Sequence, residues 1–309
     1  MAPKTRKRSG SHRKRTSARS AAAAPDMKQL ARAVKAGRER ALEVITEREK
    51  VARLELVSKG VLIAEGDSWF DYPRADILDN LEDEHGWEVD SVAHQGDTLE
   101  SMAYDDRQLR NLAKAFERIS ASGRRPKAIL LSGGGNDIAG AEFAIMLNHE
   151  RSSLEPLNAE VLAGVIDTRL LDAAVALASG VTALTQRFFG GAPIPILIHG
   201  YDYPVPDGRG FMGGFAFLPG PWLLPGFDQK GYTNAAERLQ LMHVLMDRYN
   251  AMLKKVPLAP GMGHVRYVKL LDMLTTGPGY KKDWANELHP TQDGFKKVAQ
   301  EFDRILSAL

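Results

Sequence analysis

Ser68, Gly96, Asn136 and His289 are the residues whose types could do chemistry together. Ser68 follows an apolar run in VLIAEGDSWF (61–70), at a strand-to-turn junction where its hydroxyl and backbone N–H can face a reacting carbonyl. A serine nucleophile needs a base to take its proton and donors for the oxyanion that forms. Gly96, in AHQGDT, offers an N–H that no Cβ shields, and Asn136, in SGGGND, offers a side-chain amide. With the N–H of Ser68 they make an oxyanion hole of two backbone donors and one amide, and no metal or cofactor is expected. A base is still needed: most of the eight histidines read as surface or loop residues, and His289 in NELHPT lies just before the last periodic segment, in a loop that a doubly wound fold would bring to the same rim.

Such residues meet only if the elements between them bring them together. Apolar segments at 61–66, 87–96, 127–135, 195–203 and 264–273 read as strands. Stretches at 99–120, 160–189 and 232–255 read as helices between them, and Phe295, Val298, Phe302, Ile305 and Leu309 keep helical spacing to the C-terminus, with Pro290 expected in the first turn. This alternation predicts an α/β fold, a three-layer α/β/α sandwich with a flavodoxin-like, doubly wound, parallel five-stranded sheet. In such sheets, sites form beyond the carboxyl ends of the strands. The polar and glycine clusters at 66–68, 94–96 and 133–137 fall there.

Composition sets the outer bounds. The chain has 309 residues, 44% of them hydrophobic and 26% charged, enough for a substantial core. It has no cysteine, which excludes disulfides, a thiol nucleophile and a zinc-thiolate site. No apolar run approaches the ~20 residues that span a bilayer, and the N-terminus lacks a secretory pattern, so a cytoplasmic protein without a transmembrane segment is expected. Eight of the 41 Lys and Arg residues lie in the first 20 positions with no acid among them, leaving 33 bases against 39 acids in the rest. Residues 1–25 read as a disordered basic tail, with nucleic acid or an anionic surface as a possible partner of residues 1–20. Residues 26–58 read as one long helix with an apolar stripe, and 60–309 as the catalytic domain.

The blocks EGDSWF, the glycine in AHQGDT, SGGGND and NELHPT resemble the four signature blocks of the SGNH, or GDSL-type, hydrolases. The resemblance covers roughly 60–309. It implies an esterase or acyl hydrolase with Ser68 as nucleophile, Gly96 and Asn136 as oxyanion donors, and His289 as general base and later general acid. The substrate would be a small-molecule or lipid-like ester.

One position departs from that family. The residue three before the histidine, usually an aspartate, is Asn286. A neutral amide there can hold the wrong imidazole tautomer. Asp283, Glu287 or Asp272 is then expected as an alternative acid, or Asn286 accepts from the ring itself in a dyad of modest activity. The third alternative is an inactive member that binds without turnover, a scaffold whose basic tail contacts nucleic acid. Asp67, Asp97 and Asp137 are expected to serve local turns, in preference to a metal. Residues 206–227, rich in Gly, Pro and aromatics, are too irregular for helix or strand and are expected to form a mobile apolar lid.

Overall fold

Each apolar segment becomes a strand shorter than its sequence signal, because the polar residues that follow leave the sheet. The computed structural model describes residues 58–213 and 218–309 together with Lys35. The basic tail and, apart from Lys35 and Ser58, the long first helix lie outside the described residues. The strands are β1 (Val61–Glu65), β2 (Glu88–Ser91), β3 (Ala128–Leu131), β4 (Ile196–His199) and β5 (Val265–Val268). They form one parallel sheet in the order β2-β1-β3-β4-β5. The three inner strands are buried along their whole length, as their largely apolar sequences favour, whereas both edges are partly exposed. Side chains such as Ile63, Leu130 and Leu197 are fully buried, each contributing roughly 1.5–3 kcal/mol.

The helices cover both faces. Helix Gln292–Ser307 packs against Ile77–Asp83 on one side, while Leu171–Phe189 packs against Leu99–Tyr104, Asp106–Ala121 and Ala235–Leu253 on the other. The stretch 99–120, expected as one helix, is two. Asp105 leaves helical geometry at φ −77°, ψ 119°, and its side chain accepts from the N–H groups of Arg107 and Gln108 to start the second. Helix Leu171–Phe189 is preceded by the turn Ala159–Leu162 and a π-helical segment, Ala163–Leu170. The C-terminal helix is capped by Thr291, whose hydroxyl accepts from Gly294 N–H, so Pro290 lies before the cap and not in the first turn.

Chain order reverses between β1 and β3: from β1 the chain runs outward to β2, and from β3 it runs the other way to β4 and β5. The crevice at such a switch point opens at the carboxyl ends of the strands. The turns after β1 and β3, carrying Ser68 and Asn136, flank it.

Candidate active site

The turn after β1 is built to leave one hydroxyl free. A Cβ on Gly66 would sit 2.7 Å from Ser132 Cβ and 2.9 Å from the Phe70 ring, so close packing, not a special φ, demands glycine there. Asp67 is buried. Its Oδ1 accepts from the Trp69 N–H at 3.0 Å and from the Ser132 hydroxyl at 2.7 Å, and its Oδ2 accepts from the Tyr201 hydroxyl. One carboxylate therefore ties the turn to the ends of β3 and β4, which is more than the local turn role expected of it. Ser68, held between these anchors, places Oγ 2.7 Å from Nε2 of His289. Trp69 adds a second tie: its indole N–H donates to the Leu288 carbonyl at 3.1 Å.

Asn286 faces the other side of the imidazole. Its Oδ1 lies 3.0 Å from His289 Nδ1 and also accepts from the backbone N–H groups of Leu288, at 3.0 Å, and His289, at 2.9 Å. Two backbone donors identify that atom as the oxygen, so Nδ1 carries the proton and the Nε2 lone pair faces the Ser68 hydroxyl. The wrong-tautomer hazard of an amide at this position is removed by the loop's own N–H groups. The amide nitrogen of Asn286 donates to the Tyr72 hydroxyl at 3.0 Å, and the Tyr72 ring stacks on the imidazole at 4.5 Å and 25°. Burial pushes the His289 pKa down to about 3, so the imidazole is held neutral.

The carboxylates weighed as alternative acids are engaged elsewhere. Asp283 accepts from Lys297 Nζ at 2.7 Å and from the Thr275 N–H at 2.8 Å. Asp272 is largely exposed and pairs with Lys269 at 3.3 Å. Glu287 is fully buried and accepts four backbone N–H groups: Gly208 at 2.9 Å, Trp222 at 2.6 Å, Leu223 at 2.8 Å and Leu224 at 3.1 Å. It gathers the two ends of the 206–227 segment onto the loop that carries His289.

Three potential donors border the cavity at Ser68: its own N–H, the N–H of Gly96 and the side-chain amide of Asn136. Gly96 takes φ +90°, which favours glycine, and the space where a Cβ would project is open. Among the described residues, neither the Ser68 nor the Gly96 N–H has a hydrogen-bond partner. The Asn136 amide donates one hydrogen to the Asp97 carbonyl at 2.9 Å, which fixes the group and leaves its second hydrogen for a ligand. Asp137 reaches across to the helix at Leu99, accepting from the N–H of Leu99 at 2.7 Å and of Glu100 at 3.3 Å, and burial pushes its pKa up to about 6. This contact is long-range where a local turn was expected. No group of three or more His, Asp or Glu side chains is placed to hold a metal ion among the described residues.

The mouth of the site is a cavity of about 510 Å³ bordered by Ser68, Gly96, Asn136 and His289 on the sheet side and by Phe211, Leu218 and Trp222 on the other. The Trp222 ring meets the imidazole edge-on at 5.5 Å. The described parts of the 206–227 segment, expected as a lid, border this cavity and are tied to the loop that carries His289. The Arg209 guanidinium donates to the carbonyls of Trp284, at 2.8 Å, and Ala285, at 2.9 Å, beside the Glu287 bonds. Part of the segment is helical after all, in Leu224–Gln229. Tyr72 and Trp69 adjoin the site without having been predicted for it, and Glu287, weighed as an alternative acid, serves as the anchor of the 206–227 segment instead. The aromatic pair beside Ser68 was the available signal.

No family model and no curated protein matches the chain. The chain is similar to solved structures of SGNH hydrolases and esterases. One is a putative SGNH hydrolase from Slackia heliotrinireducens, at 11% identity and TM-score 0.46, covering 79% of this chain and 97% of that one. A catalytic mutant of the acetylxylan esterase Axe2 from Geobacillus stearothermophilus has 16% identity and TM-score 0.41, with 81% and 94% covered. The psychrotrophic esterase EstA from a Pseudoalteromonas species has 12% identity and TM-score 0.43, with 81% and 98% covered. What this site can do is decided by its own geometry.

Proposed function

We propose that the chain is an SGNH-type serine hydrolase that cleaves carboxylic esters through an acyl-enzyme on Ser68. The observation that carries this reading is the line from hydroxyl to imidazole to amide: Ser68 Oγ to His289 Nε2 at 2.7 Å, and His289 Nδ1 to Asn286 Oδ1 at 3.0 Å. It supports a base in the required tautomer, already hydrogen-bonded to the nucleophile.

In this mechanism Ser68 Oγ attacks the ester carbonyl carbon while its proton passes to His289 Nε2. The carbonyl π pair moves onto oxygen, and the N–H groups of Ser68 and Gly96 and the amide of Asn136 receive the oxyanion. Collapse breaks the bond to the alcohol oxygen, which takes the proton from His289. Water, deprotonated by the same nitrogen, then attacks the acyl-enzyme, and a second collapse returns the proton to Ser68 and frees the acid. Asn286 orients the ring as an aspartate would but adds no negative charge opposite the imidazolium, so turnover is modest.

The test is hydrolysis of p-nitrophenyl acetate and butyrate by the protein and by Ser68→Ala. Turnover that the substitution abolishes is expected. Equal background rates from both proteins would remove the enzyme reading and leave the site as a binding module.

A further inference from the structure

Two cavities meet at Ser68, and they differ in character. The open one is the mouth already described, where Gln95, Gly96 and Leu218 are exposed. The second lies behind it and is lined almost wholly by buried side chains. Its wall is apolar: Met242, Leu245 and Met246 from helix Ala235–Leu253, with Ile138, Ala139 and Leu223 facing them. Its volume is about 40 Å³, roughly three times the ~10–15 Å³ that admits one water. Ser68, Asn136 and His289 border both cavities, so a carbonyl bound there has one substituent on each side.

The two substituents have different fates, and this decides which goes where. The alcohol must depart and be replaced by water while the acyl group stays attached to Ser68. The departing half therefore needs the open side, and the retained half can occupy the small cavity lined by buried side chains. From this geometry we infer that the small cavity is the acyl subsite and that it limits the enzyme to esters of short acids, acetyl and propionyl above all. This inference rests on the ester chemistry proposed above. Apolar walls reward each added carbon only until the space is filled. Beyond about three carbons the tail must displace close-packed Met and Leu side chains, which costs more than it returns. Larger alcohols remain acceptable, because the open cavity is over ten times the volume, about 510 Å³ against about 40 Å³.

The experiment is a chain-length series of p-nitrophenyl esters, from acetate through propionate, butyrate and hexanoate to octanoate, read as kcat/KM. The native protein is expected to peak at acetate or propionate and to fall at least tenfold by hexanoate. Met246→Ala enlarges the pocket and is expected to move the peak towards butyrate or hexanoate. Ala139→Val fills it and is expected to lower propionate more than acetate, which keeps the test intact if the larger deletion impairs folding. A native profile that is flat or rises to octanoate would overturn the acyl assignment while leaving Ser68-dependent hydrolysis standing, as would an unchanged profile in both variants. Absence of Ser68-dependent turnover on every ester would defeat the hydrolase reading and this inference with it.

Discussion

The indole nitrogen of Trp69 lies 3.1 Å from the carbonyl oxygen of Leu288, so one hydrogen bond joins the residue after Ser68 to the residue before His289. Trp69 is buried and packs edge-on against Trp284 and Phe295, which fixes the donor's direction. Ser68 and His289 sit in different turns, and this tie limits how far those turns can drift apart. Trp69→Phe keeps most of the ring packing and removes the donor. Loss of a hydrogen bond worth about 1 kcal/mol, with a partly buried carbonyl left unpaired, is expected to lower the Tm by a few degrees. The same change is expected to cut kcat several-fold with KM little altered, since the interaction aligns reacting groups without touching substrate. Steady-state kinetics and thermal melts check both numbers, and an unchanged kcat would remove the alignment role.

Asn286 is where the chain departs from a full triad, and its replacement by aspartate should be a gain. Asn286→Asp places a carboxylate beside Nδ1 while keeping the two backbone donors and the Tyr72 hydroxyl as partners. The imidazolium formed during the reaction would then face a negative charge, and kcat is expected to rise about tenfold or more. Asn286→Leu, which removes the acceptor, is expected to lower kcat by about 10². A rate that falls in both variants would show that the neutral amide suits this site.

The pH profile carries a second signature of the same arrangement. Burial holds His289 near a pKa of about 3, so the free enzyme's base is already deprotonated at pH 5. The expected kcat/KM shows no acidic fall between pH 5 and 7, where an unperturbed histidine would titrate at about 6.5. In Asn286→Asp the new carboxylate favours the charged ring, and an acidic limb is expected to move up into that window. For stability the sign is that of a depressed folded-state pKa on a base. The unfolded chain binds the proton first, so the His289 contribution is full above about 6.5 and is lost as pH falls towards 3.

The sheet was legible because its signals are local, and so were the four turn positions that the fold brings to one cavity, Ser68, Gly96, Asn136 and His289. Unbroken apolar runs such as AILL announce strands buried on both faces, and the glycine at 96 announces a backbone that other residues avoid. What sequence could not resolve was long-range. Asp283, Glu287 and Asp272 all precede His289 in the last part of the chain, and only the fold directs them to Lys297, to the 208 and 222–224 amides, and to Lys269. Tyr72 was silent for the same reason, since its stacking partner is His289, far along the chain. The break at Asp105 was missed because the apolar spacing continues across it, while the capping bonds that interrupt the helix come from a residue type equally at home on a helix surface.

Glu287 offers a test of the wall over the site. Four backbone N–H groups converge on one buried carboxylate. Glu287→Ala leaves all four without a partner, at about 1–3 kcal/mol each if none finds water. The expected result is a large fall in Tm and new proteolytic cleavage within 206–227. Glu287→Gln, which keeps one accepting oxygen, is expected to retain the fold with a raised KM, because Trp222 lines the substrate cavity. Limited proteolysis followed by mass mapping would show where the chain opens, and cleavage elsewhere would count against the anchor.

Glu65 makes the remaining prediction, on the alkaline side. It ends β1, is almost fully buried, and its Oε1 accepts the Gly66 N–H at 3.1 Å. Burial first, and the nearby Asp97 carboxylate second, push its pKa up to about 8. A raised folded-state pKa on an acid means that the unfolded chain loses the proton first. The contribution to stability is therefore full below about 4.5 and is lost as pH rises through about 8, at up to about 1.4 kcal/mol per pH unit. Asp76 and Asp137, raised only to about 6, complete their titration earlier, so the window from pH 7 to 9 belongs to Glu65 among these buried acids. Glu65→Gln replaces the protonated acid with a neutral group of the same shape. Denaturant melts are expected to show the native protein losing stability across that window while the variant changes little. The loss should extend to activity: an ionised Glu65 sits against Asp97, whose carbonyl holds the Asn136 amide in place. Parallel alkaline decline in both proteins would assign the effect to another group.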